Sequence, residues 1–260
     1  MPDHSSATTS EDDKAASILV RRAAGVVTLV LNRPGRGNAL SSETVECLHD
    51  AVTECIACND VHTLVLRAQG ANFCTGFDWT GSEHASDGDL LLRLVRIELL
   101  LQTLWSAPIR TVALVHGRTW GAGADLMVAC DMRVALPGAT FRFPGAGFGL
   151  VLGTRRLAER MGADQARRTV LEGRELDAAA ARELNLLTDI TEAFDELVAA
   201  LPSPAVDRDT MAAIAAATRP QGGDADLANL VRSAARPGLG ARLRAYAQRA
   251  AAHRSRRAAN

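Results

Sequence analysis

Lysine is almost absent from this sequence of 260 residues: Lys14 is the single lysine among 29 basic residues, and the others are all arginine. A lysine Schiff base or a lysine general base is therefore excluded from every part of the chain beyond residue 14. Charge of one sign is not in excess either, because 30 acidic residues bring the net charge to −1. This balance argues against a protein that binds nucleic acid mainly by charge.

Long apolar runs are also missing. No stretch of about 18 uncharged apolar residues, the length that a membrane-spanning helix needs, occurs in the sequence. Residues 1–14 carry neither the basic segment nor the apolar segment of a secretory signal. We therefore expect a cytoplasmic protein with no membrane partner and no nucleic-acid partner.

Cysteine is scarce and odd in number, with five residues in a chain that is 47% hydrophobic. A chain with this many apolar residues can build a packed core and does not require a disulfide framework. Cys55 and Cys58 form a lone CxxC with no second cysteine pair and no histidine pair, so we predict no metal site.

Short β-branched runs alternate with segments of helical spacing over the first 200 residues. This alternation predicts a mostly parallel, layered α/β domain over residues 17–200. We expect a flexible tail over residues 1–16, a loop over 80–89 and a helical oligomerisation region over 201–260. Strands are predicted at 26–31, 63–68, 111–115, 131–135 and 140–143, and helices at 42–56, 90–105, 154–161, 164–172, 177–184 and beyond 207, with breaks near 222–223 and 237–238.

Two glycine-bearing turns are candidates for ligand binding. One covers residues 73–78, and the other covers residues 117–125 and opens a buried helix. Glycine lets a ligand approach the backbone closely, and a helix N-terminus supplies unpaired N–H groups. If both turns face one point, they form a two-amide oxyanion hole for a carbonyl oxygen. The alternative is two tight turns that serve packing alone.

The order and spacing of these segments resemble the crotonase (enoyl-CoA hydratase/isomerase) superfamily over residues 18–200. Each matching segment is weak alone, but together they follow the family's order. The segments are Asn32-Arg33-Pro34 with Asn38-Ala39-Leu40, residues 73–78, residues 117–131, Phe141-Arg142-Phe143-Pro144, Gly147-Phe148-Gly149-Leu150, and Gly173-Arg174 with residues 178–181.

The resemblance implies an α/β fold, a crotonase-like spiral of repeated ββα units with a C-terminal helical block that builds homotrimers or hexamers. It implies an acyl-CoA thioester as ligand, with no cofactor apart from the CoA that the substrate carries. The N–H groups of Phe77 and Ala122 would form the oxyanion hole. The substrate would also lie along the neighbouring residues Thr75, Gly76, Asp78, Trp79 and Thr80.

The sequence departs from the family's hydratase pattern at its acidic residues. The first catalytic glutamate is replaced by Asp125, which is one methylene shorter, and the second is replaced by Gly145. A further acidic position of the family is Gly153 here. Asp125 is expected to act as acid or base; the alternative is that it only complements the helix dipole. The second carboxylate that paired acid/base hydration uses is therefore absent from this sequence.

Glu98 is a second candidate for proton transfer, because it is an isolated carboxylate in an apolar helical segment and burial would raise its pKa. The alternative is that Glu98 faces solvent or pairs with Arg93, Arg96 or another chain. The pair Arg155-Arg156 is expected to lie on a solvated helix face, with a contact to a phosphate or carboxylate as the alternative.

Three functions follow as hypotheses. The first is an enoyl-CoA hydratase or double-bond isomerase that works through an oxyanion-stabilised enolate. The second keeps catalysis but changes the reaction to acyl-CoA hydrolysis, decarboxylation or C–C cleavage. The third is a non-catalytic acyl-CoA binder or a partner subunit of an active homologue.

Overall fold

The computed structural model describes residues 16–220 and 222–258, with side chains described as far as Arg249. The predicted tail therefore lies, apart from Ala16, outside the described residues, and so does Lys14. Two sheets and ten α-helices occupy the part of the chain that is described. The strands are β1 Ile18–Ala23, β2 Val26–Leu31, β3 Thr63–Ala68, β4 Arg110–Val115, β5 Arg118–Trp120, β6 Met132–Ala135, β7 Thr140–Arg142, β8 Leu176–Asp177 and β9 Asp189–Ile190.

The larger sheet has six strands in the order β1-β2-β3-β4-β6-β9. Only β1 is antiparallel to its neighbour, so the sheet is mostly parallel, as the alternation of strands and helices predicts. The central strands are apolar on both faces because helices cover both sides: Leu64 and Val65, adjacent on β3, are both fully buried. This sheet carries the main core of the protein.

The smaller sheet has three strands in the order β5-β7-β8. Strand β5 is only three residues long, and the sequence analysis missed it because it lies within the glycine-bearing turn. It pairs in parallel with β7, from Arg118 opposite Thr140 to Trp120 opposite Arg142. This pairing holds the turn that follows β5 against the rest of the domain.

Helices pack against both faces of the larger sheet. Helix α1 lays Val45, Leu48 and Val52 into the core at helical spacing, as predicted. The helices are α1 Ser42–Ala57, α2 Asp87–Trp105, α3 Ala122–Ala129, α4 Thr154–Met161, α5 Ala163–Glu172, α6 Ala178–Glu183, α7 Phe194–Ala199, α8 Arg208–Thr218, α9 Gly223–Ala234 and α10 Leu239–Ala258.

Helix α2 begins earlier than its apolar pattern indicates, so the predicted loop over residues 80–89 was too long. The helix begins at Asp87 because Ser86 and Asp89 form a capping box, each side chain accepting from the backbone N–H of the other. The strand β1 was also missed, since its residues are mostly exposed and show no apolar face. The predicted breaks before α9 and α10 are both present.

Candidate active site

A cavity of about 1230 Å³ opens between the two glycine-bearing turns, helix α4 and the C-terminal helix α10. It brings together most of the residues that the sequence analysis singled out. Four of the residues singled out do not line this cavity: Glu98, Gly153, Arg155 and Arg156. The predicted site residues that line it are Thr75, Gly76, Phe77, Asp78, Trp79, Thr80, Ala122 and Asp125.

The two turns touch each other at Gly76. A Cβ on Gly76 would lie 2.8 Å from the carbonyl oxygen of Trp120 and 3.4 Å from the amide nitrogen of Ala122. The backbone of Gly76 has a φ of +96°, which also favours glycine. The turns are joined by the N–H of Trp120, which donates to the carbonyl oxygen of Cys74 at 3.0 Å.

The N–H groups of Phe77 and Ala122 both lie where these turns meet. The residues on either side of Phe77 are hydrogen-bonded to Leu40. The Leu40 N–H donates to the Gly76 carbonyl oxygen, and the Asp78 N–H donates to the Leu40 carbonyl oxygen. Among the described residues, no backbone acceptor takes up the N–H of Phe77 or of Ala122. The two groups are therefore available to a carbonyl oxygen in the cavity.

Asp125 is the carboxyl group of this cavity that is best placed for proton transfer. It lies in the first turn of α3, is 5% exposed, and has an Oδ1 atom that is buried with no hydrogen-bond partner. Burial raises the pKa of Asp125 to about 8, with the Arg156 cation opposing the rise and the Glu98 carboxylate adding to it. A carboxyl with this pKa is protonated in most molecules at neutral pH and ionised in the rest, so both a proton donor and a proton acceptor are present.

The two other acidic positions of the family pattern leave space here. Gly145 lines the cavity, and Gly153 immediately precedes α4 as its N-cap, with a φ of +66°. A Cβ on Gly153 would overlap Oδ1 of Asp125 and lie 2.7 Å from its Cγ. The absence of a side chain at Gly153 is therefore what makes room for the Asp125 carboxyl.

Glu98 is fully buried, but it belongs to an ion pair rather than to the cavity wall. Its Oε2 accepts from Arg156 Nη2 at 2.6 Å, and its Oε1 accepts from Gln102 at 3.1 Å. The partner is therefore Arg156, and not Arg93 or Arg96 as the sequence alternatives had it. The solvated helix face expected for Arg155-Arg156 was wrong for Arg156, whose side chain is 1% exposed.

Asp78 lies in the cavity wall, and both oxygens of its carboxylate already accept hydrogen bonds from the protein. It accepts from Arg33 at 3.0 Å and from the Thr80 N–H at 3.0 Å. Burial raises the pKa of Asp78, but these hydrogen bonds outweigh it and hold the pKa below its usual range. Asp78 is thus an ionised group that fixes the loop, and not a second proton carrier.

Aromatic side chains form one end of the cavity. Trp79 meets Phe77 edge-on at 5.7 Å and Phe148 edge-on at 6.0 Å, and it stacks on Tyr246 of α10 at 6.4 Å between ring centroids. The sequence analysis missed Tyr246, because nothing in its local pattern indicates that α10 folds back over the cavity. It is the single tyrosine of the chain, which is the one signal that could have drawn attention to it.

Arginines supply the positive charge of the cavity wall, as a chain nearly without lysine requires. The guanidinium groups of Arg118 and Arg142 lie 5.0 and 5.4 Å from the ring centroid of Trp120. Arg36 and Arg249 also line the cavity. An anionic ligand would therefore meet cations on several sides.

The chain is similar to known proteins over most of its length. A sequence model of the family described as enoyl-CoA hydratase/isomerase matches residues 21–203. The probable enoyl-CoA hydratase EchA6 of Mycobacterium leprae is 34% identical over 178 residues, which cover 66% of this chain and 70% of that protein. The EchA6 protein of Mycobacterium tuberculosis is 35% identical over 61% of this chain and 64% of its own length.

A solved structure from Bordetella parapertussis, described as an enoyl-CoA hydratase/isomerase, is 44% identical and superposes with a TM-score of 0.85. The superposition covers 88% of this chain and 98% of that one. The expected crotonase-like α/β fold is thereby confirmed. Within the part of the chain that the structure describes, no helix combines the length and the apolar character needed to cross a membrane.

Proposed function

Because this chain belongs to the enoyl-CoA hydratase/isomerase family, we propose that it is an enzyme that polarises the carbonyl group of an acyl-CoA thioester and moves a proton with Asp125. The reaction that we assign first is hydration of a 2-enoyl-CoA or migration of its double bond. The observation that carries the proposal is the buried carboxyl of Asp125 beside two available backbone N–H groups.

The oxyanion hole stabilises the enolate intermediate of the proposed reaction. The thioester oxygen accepts hydrogen bonds from the N–H groups of Phe77 and Ala122, which stabilise the negative charge that develops when a proton leaves Cα. Each such donor is worth about 3–4 kcal/mol in the transition state. Ala122 in place of a glycine is compatible with this role, because only its N–H takes part.

Asp125 supplies the proton transfer. Because its pKa is raised to about 8, the carboxyl is matched to both donation and acceptance of a proton near neutral pH. A single shuttle of this kind suffices for double-bond migration, in which one proton leaves the acyl chain and another returns to it. Hydration requires in addition that the same group orients the attacking water, because Gly145 offers no second carboxylate.

Proton exchange tests this proposal more directly than product formation. The protein is incubated in D₂O with saturated, 2-enoyl and 3-enoyl acyl-CoA thioesters, and deuterium at the acyl chain is measured by mass spectrometry. We expect exchange or turnover in the wild type and a loss of at least about 100-fold in Asp125→Asn. Full exchange in Asp125→Asn would overturn the role of Asp125.

A non-catalytic acyl-CoA binder is the second candidate, favoured by the missing carboxylate at Gly145. It predicts tight calorimetric binding of the same thioesters with neither exchange nor product across the panel.

Hydrolysis is less well supported, since the carboxylate that would activate water, Glu98, is already paired with Arg156. A cytoplasmic homotrimer or hexamer remains part of the proposal.

A further inference from the structure

A group of four charged side chains includes Arg156 and Glu98, the two residues whose charges act on Asp125. Arg156 of α4 divides its guanidinium between Glu98 of α2, at 2.6 Å, and Asp226 of α9, at 3.0 Å. Arg155 donates to the same Asp226 carboxylate at 2.7 Å. We call Glu98, Arg155, Arg156 and Asp226 the ion cluster.

The ion cluster is closed to water at its centre. The side chains of Glu98 and Arg156 are 0% and 1% exposed, and that of Asp226 is 7% exposed. Gln102 ties the cluster to α9, because its amide donates both to Glu98 and to the Gly223 carbonyl oxygen. Charges held in this way have fixed positions and act on a neighbour with little screening.

The cluster is electrically balanced, with two guanidinium groups and two carboxylates. Among the described groups, the charges that act on Asp125 are those of Arg156 and Glu98, which have opposite signs. Both hydrogen-bonding Nη atoms of Arg156 are committed to carboxylates of the cluster. No hydrogen bond from Arg156 to Asp125 is formed, and Oδ1 of Asp125 is left without a partner.

We propose that Arg156 is a positioning residue for the reaction: Glu98 and Asp226 engage both of its Nη atoms, so that neither is donated to Asp125 and the buried Asp125 carboxyl keeps an oxygen without a partner. This inference deepens the proposed function and rests on the role of Asp125 there. It assigns Glu98 to the control of Asp125, and not to contact with substrate.

Removal of one carboxylate from the cluster tests the inference. In Glu98→Gln the like charge near Asp125 disappears, and Arg156 Nη2 exchanges a carboxylate acceptor for a neutral amide oxygen, which leaves the Arg156 cation less compensated. Both changes favour ionised Asp125. We expect the pKa of Asp125 to fall by about 1–3 units. The measurement is an infrared titration of the carboxylic C=O band that Asp125→Asn removes, which requires no substrate and no turnover.

Glu46→Gln is the matched control. Glu46 is also paired with an arginine, Arg96, but its side chain is half exposed, so we expect an unchanged titration. The double variant Glu98→Gln/Arg156→Met removes the pair together and leaves Arg155 with Asp226. In it the titration of Asp125 should return to the wild-type pH or above.

The outcomes separate this inference from the proposed function. If Glu98→Gln and the double variant change only the melting temperature, and the titration of Asp125 stays in place, the cluster is a scaffold and the inference is wrong. If the titration moves as expected but the wild type neither exchanges nor converts any thioester, the control of the Asp125 proton by the ion cluster stands, while the enzymatic proposal and the positioning role of Arg156 in it both fail. Should Glu98→Gln not fold, Asp226→Asn decides in its place, because it removes the other carboxylate that engages Arg156: the inference then requires a lower titration of Asp125, and an unchanged titration contradicts it.

Discussion

The carboxyl group of Asp125 occupies the space that a side chain on Gly153 would need. A Cβ on Gly153 would lie only 2.7 Å from Cγ of Asp125. This contact links the carboxyl group of the candidate site to the start of α4, which carries Arg156 three residues later. A short acid at residue 125 and the absence of a side chain at residue 153 are thus complementary. The size of the side chain at one of these two positions therefore limits the size that the other position can accommodate.

Gly153→Ala should therefore displace Asp125 and lower kcat by at least about tenfold, because misplacing a catalytic group by about 1 Å already costs up to about 100-fold. Backbone strain contributes as well, since φ is +66° at this residue. Gly173→Ala is the control: its φ is +62°, but a Cβ there would meet nothing within 4 Å. Equal kinetics in the two variants would show that the contact with Asp125 is unimportant.

Gly76→Ala should push the two turns apart. The new Cβ would lie 2.8 Å from the Trp120 carbonyl oxygen, and the N–H groups of Phe77 and Ala122 could no longer converge on one oxygen. We expect kcat to fall by about 100- to 1000-fold, the loss that follows removal of one oxyanion donor. Gly81→Ala, with a φ of +73° and open space around its Cβ position, should keep wild-type kinetics, and a comparable loss there would point to strain alone.

The pKa of Asp125 predicts how stability depends on pH. A carboxyl whose pKa is raised to about 8 on folding binds more protons in the folded state than in the unfolded state between about pH 4 and pH 8. The free energy of unfolding must then fall as pH rises through this window, by at most about 1.4 kcal/mol per pH unit from this group.

Asp125→Asn should remove this contribution, since the amide carries no proton to lose. In urea unfolding at a series of pH values, we expect the variant to gain stability relative to the wild type as pH rises from 5 to 8, with no further gain above. A difference between the two proteins that is constant across this range would mean that Asp125 is ionised in the folded protein at all these pH values.

Asp226→Asn should destabilise the fold more than the loss of a surface charge does. It leaves Arg155 and Arg156 without one of their buried partners, and breaking a buried pair costs about 3–5 kcal/mol. Asp195→Asn is the comparison, because Asp195 pairs with Arg67 while its own side chain is 88% exposed. Chemical unfolding should show little change for Asp195→Asn, and a similarly small change for Asp226→Asn would contradict the ion cluster as a source of stability.

Tyr246→Ala should reduce kcat/KM for thioesters whose acyl group reaches the aromatic end of the cavity. Loss of the stacked pair with Trp79 is worth about 0.5–1.5 kcal/mol, which corresponds to about a 2- to 13-fold effect. Tyr246→Phe keeps the ring and should behave as the wild type. If the length of the acyl group made no difference to the loss, Tyr246 would not contact the acyl chain.

Local patterns were enough to predict much of the fold. Helix α4 was predicted with its observed bounds, because Gly153 and Gly162 mark its two ends and helical spacing fills the interval. The segments that form the cavity were also found, since the glycines at 76 and 121 have positive φ values that few other residues adopt. These signals lie within a few residues of the feature that they predict.

Arg156 shows where such prediction fails. Two adjacent arginines in a short helix carry the pattern of a solvated face, and the partners that bury Arg156 are 58 and 70 residues away in sequence. A still larger separation in sequence hides the approach of Tyr246 to Trp79. Neither contact leaves a trace in the local spacing of residues, because each depends on how distant helices pack.

The place of Asp226 on α9 has a consequence for engineering. A chimera that exchanged the segment from residue 223 onward for that of a relative would also exchange one of the two negative charges around Arg156. Its new sequence would have to supply a carboxylate at the corresponding turn of α9, or the core taken from this protein would carry two guanidinium groups, those of Arg155 and Arg156, against the single carboxylate of Glu98. The C-terminal helices of this chain are therefore not interchangeable modules, and grafts should be chosen by the residue that they bring to position 226.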